Sequence, residues 1–187
     1  MIFSSDNGPV YDDGYEDGTT VQTSTKESDR GHDGSGPYRG GKYQIYEGGT
    51  RVPLIIRWPG HIEVGQSAAT INQIDFLASF AAFLGGERET HQAIDSRNFG
   101  PALMGKDPLG ARVLIEEARG VALRQGNWKY IPARGEKHPG QLYNLEKDVG
   151  EQENLVSSEA ERAQSMKALL DSLVQDERGV RQALADR

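Results

Sequence analysis

A carboxylate and a side-chain amide stand side by side in Ser5-Asp6-Asn7-Gly8, at the end of the strand-like run Met1-Ile2-Phe3-Ser4-Ser5. Together they offer two hard oxygen donors, suited to Ca²⁺ or Mg²⁺ rather than to a soft metal. Ligands of α/β sheets gather beyond the C-terminal ends of strands, where this pair falls if residues 1–5 are a strand. Asp-Asn-Gly is also a good turn sequence, so the tetrapeptide alone leaves both readings open. A second candidate is Arg39-Gly40-Gly41-Lys42, followed by Tyr46-Glu47-Gly48-Gly49-Thr50-Arg51-Val52-Pro53. The two glycine pairs let backbone approach a ligand closely. Lys42 supplies a compact charge with three donors, suited to a tetrahedral anion, although a solvated loop lysine fits the same residues. Arg51 reads equally as a partner of Glu47 or of backbone carbonyls.

Other chemistry is thinner. His32, His61, His91 and His138 have no ligand-like spacing and read as surface histidines. His32 is kept as a candidate substrate contact because it lies in a long polar loop. Asp12, Asp13, Glu16 and Asp17 lack EF-hand alternation and read as solvated. No serine sits in a Gly-x-Ser-x-Gly elbow. The absence of cysteine excludes a disulfide framework, a thiolate zinc site and a cysteine nucleophile within these residues. A formal net charge of −7 argues against nucleic-acid and membrane-surface partners. An anionic substrate remains compatible, since a few local charges set a pocket. No apolar stretch approaches the roughly 18 residues of a membrane span, and Met1–Asp6 carries no signal-peptide pattern.

The elements that must position these groups follow from pattern. Residues 1–5 read as a strand already in progress, broken at Asp6-Asn7-Gly8-Pro9. A polar, glycine-rich stretch covers 6–41, with 10–38 expected to be a mobile loop lining a polar pocket. Arg51–Trp58 is a nearly continuous apolar run, expected to be a buried, central strand of a parallel sheet. Thr70 with Gln73 forms a capping-box pattern, and Ile71, Ile74, Leu77, Phe80, Ala81 and Leu84 follow helical spacing up to Gly85-Gly86. Beyond Gly105 come short strand-like runs at 112–116, 120–124, 128–131 and 142–145, with Gln125-Gly126-Asn127 as a hairpin turn. Ser158 with Glu161 opens a last helix carrying Met166, Leu169, Leu170, Leu173 and Val174 on one side. The expected class is α/β. Residues 1–105 form the C-terminal part of an α/β domain, and 106–187 a small antiparallel sheet with a closing helix.

In order along the chain, these blocks resemble the type I, arylsulfatase-like sulfatases of the alkaline phosphatase superfamily. The matching segments are Ile2–Pro9, Gly40-Gly41-Lys42, Tyr46–Pro53, Trp58–Ile62, Gln73–Leu77, Leu123–Ile131 and Leu142–Asp148, ending in Glu151 and Asn154-Leu155. The ordered set is far more specific than any one block. The resemblance implies the C-terminal portion of a sulfatase/alkaline-phosphatase-like sandwich plus the family's C-terminal subdomain. It further implies hydrolysis of sulfate esters, aryl or sugar, by a formylglycine with Ca²⁺, the family being often periplasmic, secreted or lysosomal. Asp6 and Asn7 match the Asp-Asn half of the metal site, and Lys42 matches the sulfate-binding lysine.

Departures limit what this chain alone can do. The Cys/Ser-x-Pro-x-Arg motif that yields formylglycine is absent, as are the other metal aspartates, so a missing N-terminal sulfatase region is the implied partner. Ala78-Ser79 stands where the family usually has Pro-Thr, and Val149 replaces the proline of Asp-Pro-Gly-Glu. Two other readings stay open on sequence: a non-catalytic truncated or partner-dependent protein, and a phosphatase or phosphodiesterase of the same superfamily. Strands lacking their sheet neighbours would make the isolated chain self-associate.

Overall fold

The computed structural model describes residues 1–10, 33–86 and 93–185, with side chains to 175. The elements run β1 (Ile2–Ser4), α1 (Glu47–Thr50), β2 (Leu54–Ile56), α2 (Phe76–Phe83) after a 3₁₀ turn at Gln73–Asp75, α3 (Gly100–Leu103), β3 (Val113–Glu117), β4 (Val121–Gln125), β5 (Trp128–Ile131), β6 (Gln141–Asn144) and α4 (Ala160–Ala185). This is an α/β chain. Its contacts fall into two compact units, one of residues 1–2, 56–114 and 171–187, the other of 3–55 and 115–170.

The larger unit is built on a four-stranded sheet in sequence order, β3-β4-β5-β6. Gln125 pairs with Trp128, so the hairpin expected at Gln125-Gly126-Asn127 closes on two residues, Gly126-Asn127, with Gly126 at φ 58° where a side chain would be strained. Antiparallel pairing then sets Lys129 opposite Tyr143 and Tyr130 opposite Leu142. Because side chains alternate across a strand, Leu123, Tyr130 and Leu142 share one face. On the edge of that face the guanidinium of Arg162, from α4, lies 4.3 Å from the Trp128 ring centroid. Ala163, Met166 and Leu170 form the buried stripe of α4. On the other face Ala122, Ile131, Tyr143 and Leu145 make a core against Ile45 and Tyr46. Ser158 does not cap α4: its hydroxyl donates to the Leu155 carbonyl, 3.3 Å away, and the helix begins at Ala160.

β1 and β2 make a separate two-stranded sheet. Met1 and Arg57 exchange backbone hydrogen bonds of 2.9 Å each, and the Ser4 hydroxyl reaches the Pro53 carbonyl at 2.8 Å. The strands therefore run antiparallel, against the parallel arrangement expected of so apolar a run. Hydrophobic continuity reports two-sided burial in a complete sheet and carries no information on strand direction. In this chain Phe3 and Ile55 keep 55% and 56% of their surface exposed.

The smaller unit also departs from its sequence pattern. The helix starts at Phe76 rather than after Thr70, and Asn72 caps the preceding turn by accepting from the Ile74 amide. Thr70 instead bridges to Gly110, its amide donating to Leu109 and its carbonyl accepting from Ala111. The side chains buried on α2 and its lead-in turn are Asp75 and Ser79, while Ile74, Leu77 and Leu84 stay exposed. The polar pair has a task. Asp75 Oδ1 accepts from the Arg97 amide at 2.8 Å, and Ser79 Oγ accepts from the Phe99 amide at 2.9 Å, fixing residues 97–99 against the helix. Gly85-Gly86 ends α2 as expected, with Gly85 at φ 69° and the Gly86 amide on the Ala81 carbonyl.

Candidate functional site

Asp6 and Asn7 follow β1 in a tight turn held from within by Ser5, whose hydroxyl donates to the Asn7 carbonyl at 2.9 Å. The Asn7 side-chain NH₂ donates to the Gly8 carbonyl at 2.9 Å. That leaves the amide oxygen as its acceptor, and Asp6 is exposed. The turn reading and the donor reading of Ser5–Gly8 are thus compatible.

Lys42 arrives from a second turn. Gly40 has φ 79° and Tyr43 φ 72°, so the backbone doubles back twice around the lysine. Lys42 is half-buried, its ammonium 5.1 Å from the Tyr43 ring centroid, and it makes no ion pair among the described residues. The Arg119 guanidinium lies 4.7 Å from that same ring centroid. Two backbone bonds join the turns: the Gly8 amide donates to Gly49 O at 3.0 Å, and the Lys42 amide to Pro9 O at 2.9 Å.

The glycine pairs serve this junction. A Cβ on Gly8 would sit 1.7 Å from Gly48 O, and one on Gly48 would sit 2.3 Å from Gly40 O. Backbone packs on backbone here, which only glycine permits. Gly8 and Gly48 also line the cavity beside the junction.

Beneath the junction lies a cluster of charges with almost no exposure. Lys129 Nζ contacts Glu116 at 2.8 Å, Glu47 at 3.0 Å and Glu151 at 3.4 Å. Glu47 also meets Arg124 at 3.2 Å and Arg51 at 3.6 Å, which selects the ion-pair reading for Arg51. Lys129, Glu47 and Glu151 are each 0% exposed. Burial disfavours the charge on Lys129, but Glu116, Glu47 and Glu151 around it outweigh that, and its affinity for the proton rises. Burial pushes the Glu151 carboxyl up to about 7, against the opposing pull of Lys129. Arg124 and Lys129 face each other across the β4–β5 ladder, a like-charge pairing that Glu47 offsets by binding both.

A cavity of about 770 Å³ opens beside the junction, with Asn7, Gly8, Tyr38 and Arg51 on its wall. The Arg51 guanidinium lies 4.8 Å from the Tyr38 ring centroid. Asp6 and Lys42 are not among the lining residues. His32 lies outside the described residues. Among the described residues no three His, Asp or Glu side chains gather as a cluster able to hold a metal.

Residues 1–86 match the family model described as Sulfatase. An N-acetylgalactosamine-6-O-sulfatase of Bacteroides thetaiotaomicron is 37% identical over 92% of this chain, and human arylsulfatase A is 30% identical over 93%. The chain belongs to the sulfatase family. It spans 36% of the bacterial relative and 38% of the human one. A solved sulfatase structure, from work on glycosaminoglycan metabolism by Bacteroides thetaiotaomicron, superposes with a TM-score of 0.80 at 35% identity, covering 92% of this chain and 38% of that one. The sulfatase motif Tyr46–Pro53 is therefore two things in this fold: the glycine surface that receives Gly8 and residues 39–41, and, through Glu47, the start of the buried cluster. Sequence reading did not find Lys129, because in a short strand between Trp128 and Tyr130 a lysine reads as solvent-facing. The available signal was Glu47 and Glu151 in blocks that match the family, with Glu116 in the strand-like run at 112–116.

Proposed function

We propose that this chain is the C-terminal portion of a sulfatase that hydrolyses sulfate esters, with the nucleophile outside these residues. In that proposal 1–105 derive from the α/β catalytic domain and 106–187 from the C-terminal subdomain, a division by element type that packing in this chain cuts across. The reading rests on the pair of backbone bonds, Gly8 N to Gly49 O and Lys42 N to Pro9 O, which tie the Asp-Asn turn to α1 and to the turn bearing Lys42, whose ammonium has no ion-pair partner among the described residues. Lys42 would hold a sulfate oxygen and stabilise the negative charge that develops there. Asp6 and Asn7 would supply two hard oxygens to a divalent cation such as Ca²⁺, which adds positive charge at the same oxygens. The two donors fit that role by chemistry and exposure, though they are far fewer than the six to eight oxygens Ca²⁺ takes. A formylglycine would be the attacking group, and no residue of this chain can be converted to it by the Cys route.

A sugar sulfate is the proposed substrate, with N-acetylgalactosamine 6-sulfate the first to test because the 37%-identical relative is named for it. The experiment joins this chain to the region bearing the nucleophile and follows sulfate release from 4-nitrophenyl sulfate and from that sugar. Turnover is expected with Ca²⁺, falling about 10²- to 10³-fold in kcat in Lys42→Ala. The isolated chain is expected to turn over neither substrate and to bind Ca²⁺ weaker than micromolar. Turnover unaffected by Lys42→Ala would overturn the role given to Lys42.

A further inference from the structure

We propose that the buried cluster of Glu47, Glu116 and Glu151 around Lys129 is a positioning device for Lys42 and Asn7, a role that rests on the sulfatase reading above. Lys129 sits in β5 between two paired strands, opposite Arg124 of β4 and Tyr143 of β6, and it points its ammonium at three carboxylates from three separate segments. Glu47 is the first residue of α1, and its backbone amide donates to Glu151 Oε2 at 2.7 Å. Thr50, the last residue of α1, donates its hydroxyl to Glu116 Oε2 at 2.7 Å. Both ends of this four-residue helix are thus tied to carboxylates that Lys129 holds.

The helix in turn holds the site. Gly48 N donates to Arg39 O at 2.7 Å and Gly49 O accepts from Gly8 N. Arg39 itself reaches the Glu151 carbonyl at 2.9 Å, so residues 39–42 are fastened to the cluster at two points. A four-residue helix has too few internal bonds to hold its own geometry. Its placement must come from outside, and among the described residues Lys129, with Arg124 beside it on Glu47, supplies its ionic anchor. A buried ion pair adds little net stability over apolar packing, yet it fixes geometry because each charge tolerates few alternative positions. Glu151 has φ 51°, a conformation that non-glycine residues rarely adopt, and its carboxylate is aimed inward from there.

Two measurements test this, with Glu116→Gln as the mild variant and Glu47→Gln as the severe one. In the protein joined to its nucleophile-bearing region, each variant should lower kcat/KM for 4-nitrophenyl sulfate about 10- to 100-fold per folded molecule, the scale expected of sub-ångström misplacement. In a Lys42→Ala background the same substitutions should cost at least about 3-fold less than they do with Lys42 present, because one of the two groups they position is gone. Equal losses in both backgrounds would reduce the cluster to general scaffolding and overturn the proposal. In the present chain, amide exchange at Gly8 and Lys42 should accelerate at least about 10-fold in Glu116→Gln while Tyr130 in β5 keeps its rate. Unchanged exchange at Gly8 and Lys42 would also overturn it. If the joined protein shows no turnover of any sulfate ester while Gly8 and Lys42 respond, the positioning stands and the sulfatase reading fails.

Discussion

In β4–β6, Ala122, Leu123 and Leu142 have no exposed surface, whereas in β1 and β2 Phe3 and Ile55 keep more than half of theirs. By sequence β1 and β2 are the more apolar of the two regions. The difference lies in what each finds within the chain. The four-stranded sheet has α4 near one face and residues 39–51 on the other, so its core closes from residues present here. Among the described residues the two-stranded sheet leaves Phe3 and Ile55 more than half exposed, and a lone pair of strands is marginal in water. Hydrophobicity alone therefore does not decide burial: the less apolar strands have a finished core and the more apolar pair keeps an exposed surface.

That contrast can be broken or sharpened by measurement. Leu142→Ala should cost about 2–5 kcal/mol in urea unfolding, and Ile55→Ala less than about 1 kcal/mol, since only the first opens a cavity. Equal costs would erase the distinction. Gly8→Ala places a methyl group against Gly48 O and should cost about 1–3 kcal/mol, loosening the turn junction before the sheet. Amide exchange showing both regions released together would contradict that order.

A pH series separates the charged cluster from the apolar core. The folded state raises Glu151 to about 7 from the usual carboxylate range, chiefly by burial, so the native protein binds that proton more tightly than the unfolded chain. Its contribution is complete below about 4.5 and is lost as pH rises through about 7. Between those limits it should amount to about 1–3 kcal/mol, and Glu151→Gln should flatten that part of the profile. A wild-type midpoint that rises across the same window for reasons traceable to Glu151 would contradict the assigned direction. The smallest effect on folding belongs to the exposed strands. Light scattering should show concentration-dependent self-association, weakened by Ile55→Lys with under about 0.5 kcal/mol change in stability. A monomer at all concentrations would show the exposed apolar surface to be inert.

Much of this was legible in the residues. Gly126-Asn127 announced its hairpin and Gly85-Gly86 its helix end, because turn chemistry is local and a positive φ selects glycine wherever it occurs. The order of the blocks from Ile2 to Leu155 carried the family. Other features were not legible. Thr70-x-x-Gln73 is a capping pattern whose threonine backbone was claimed by Leu109 and Ala111, a long-range bridge that no local rule anticipates. The helical apolar stripe of 71–84 predicted a buried face, yet Asp75 and Ser79 are buried instead, since each satisfies a distant backbone amide.

The sequence by itself determined the α/β class, the hairpin and helix ends, the family, and Asp6, Asn7 and Lys42 as the residues to examine. Tertiary structure alone decided that β1 and β2 run antiparallel, that the glycine pairs pack on one another, and that Lys129 is buried. The physical reason is the range of the forces involved. Propensity and turn geometry act over a few residues, but a buried ammonium exists only where counter-charges converge, and Glu47 reaches Lys129 across 82 residues of chain.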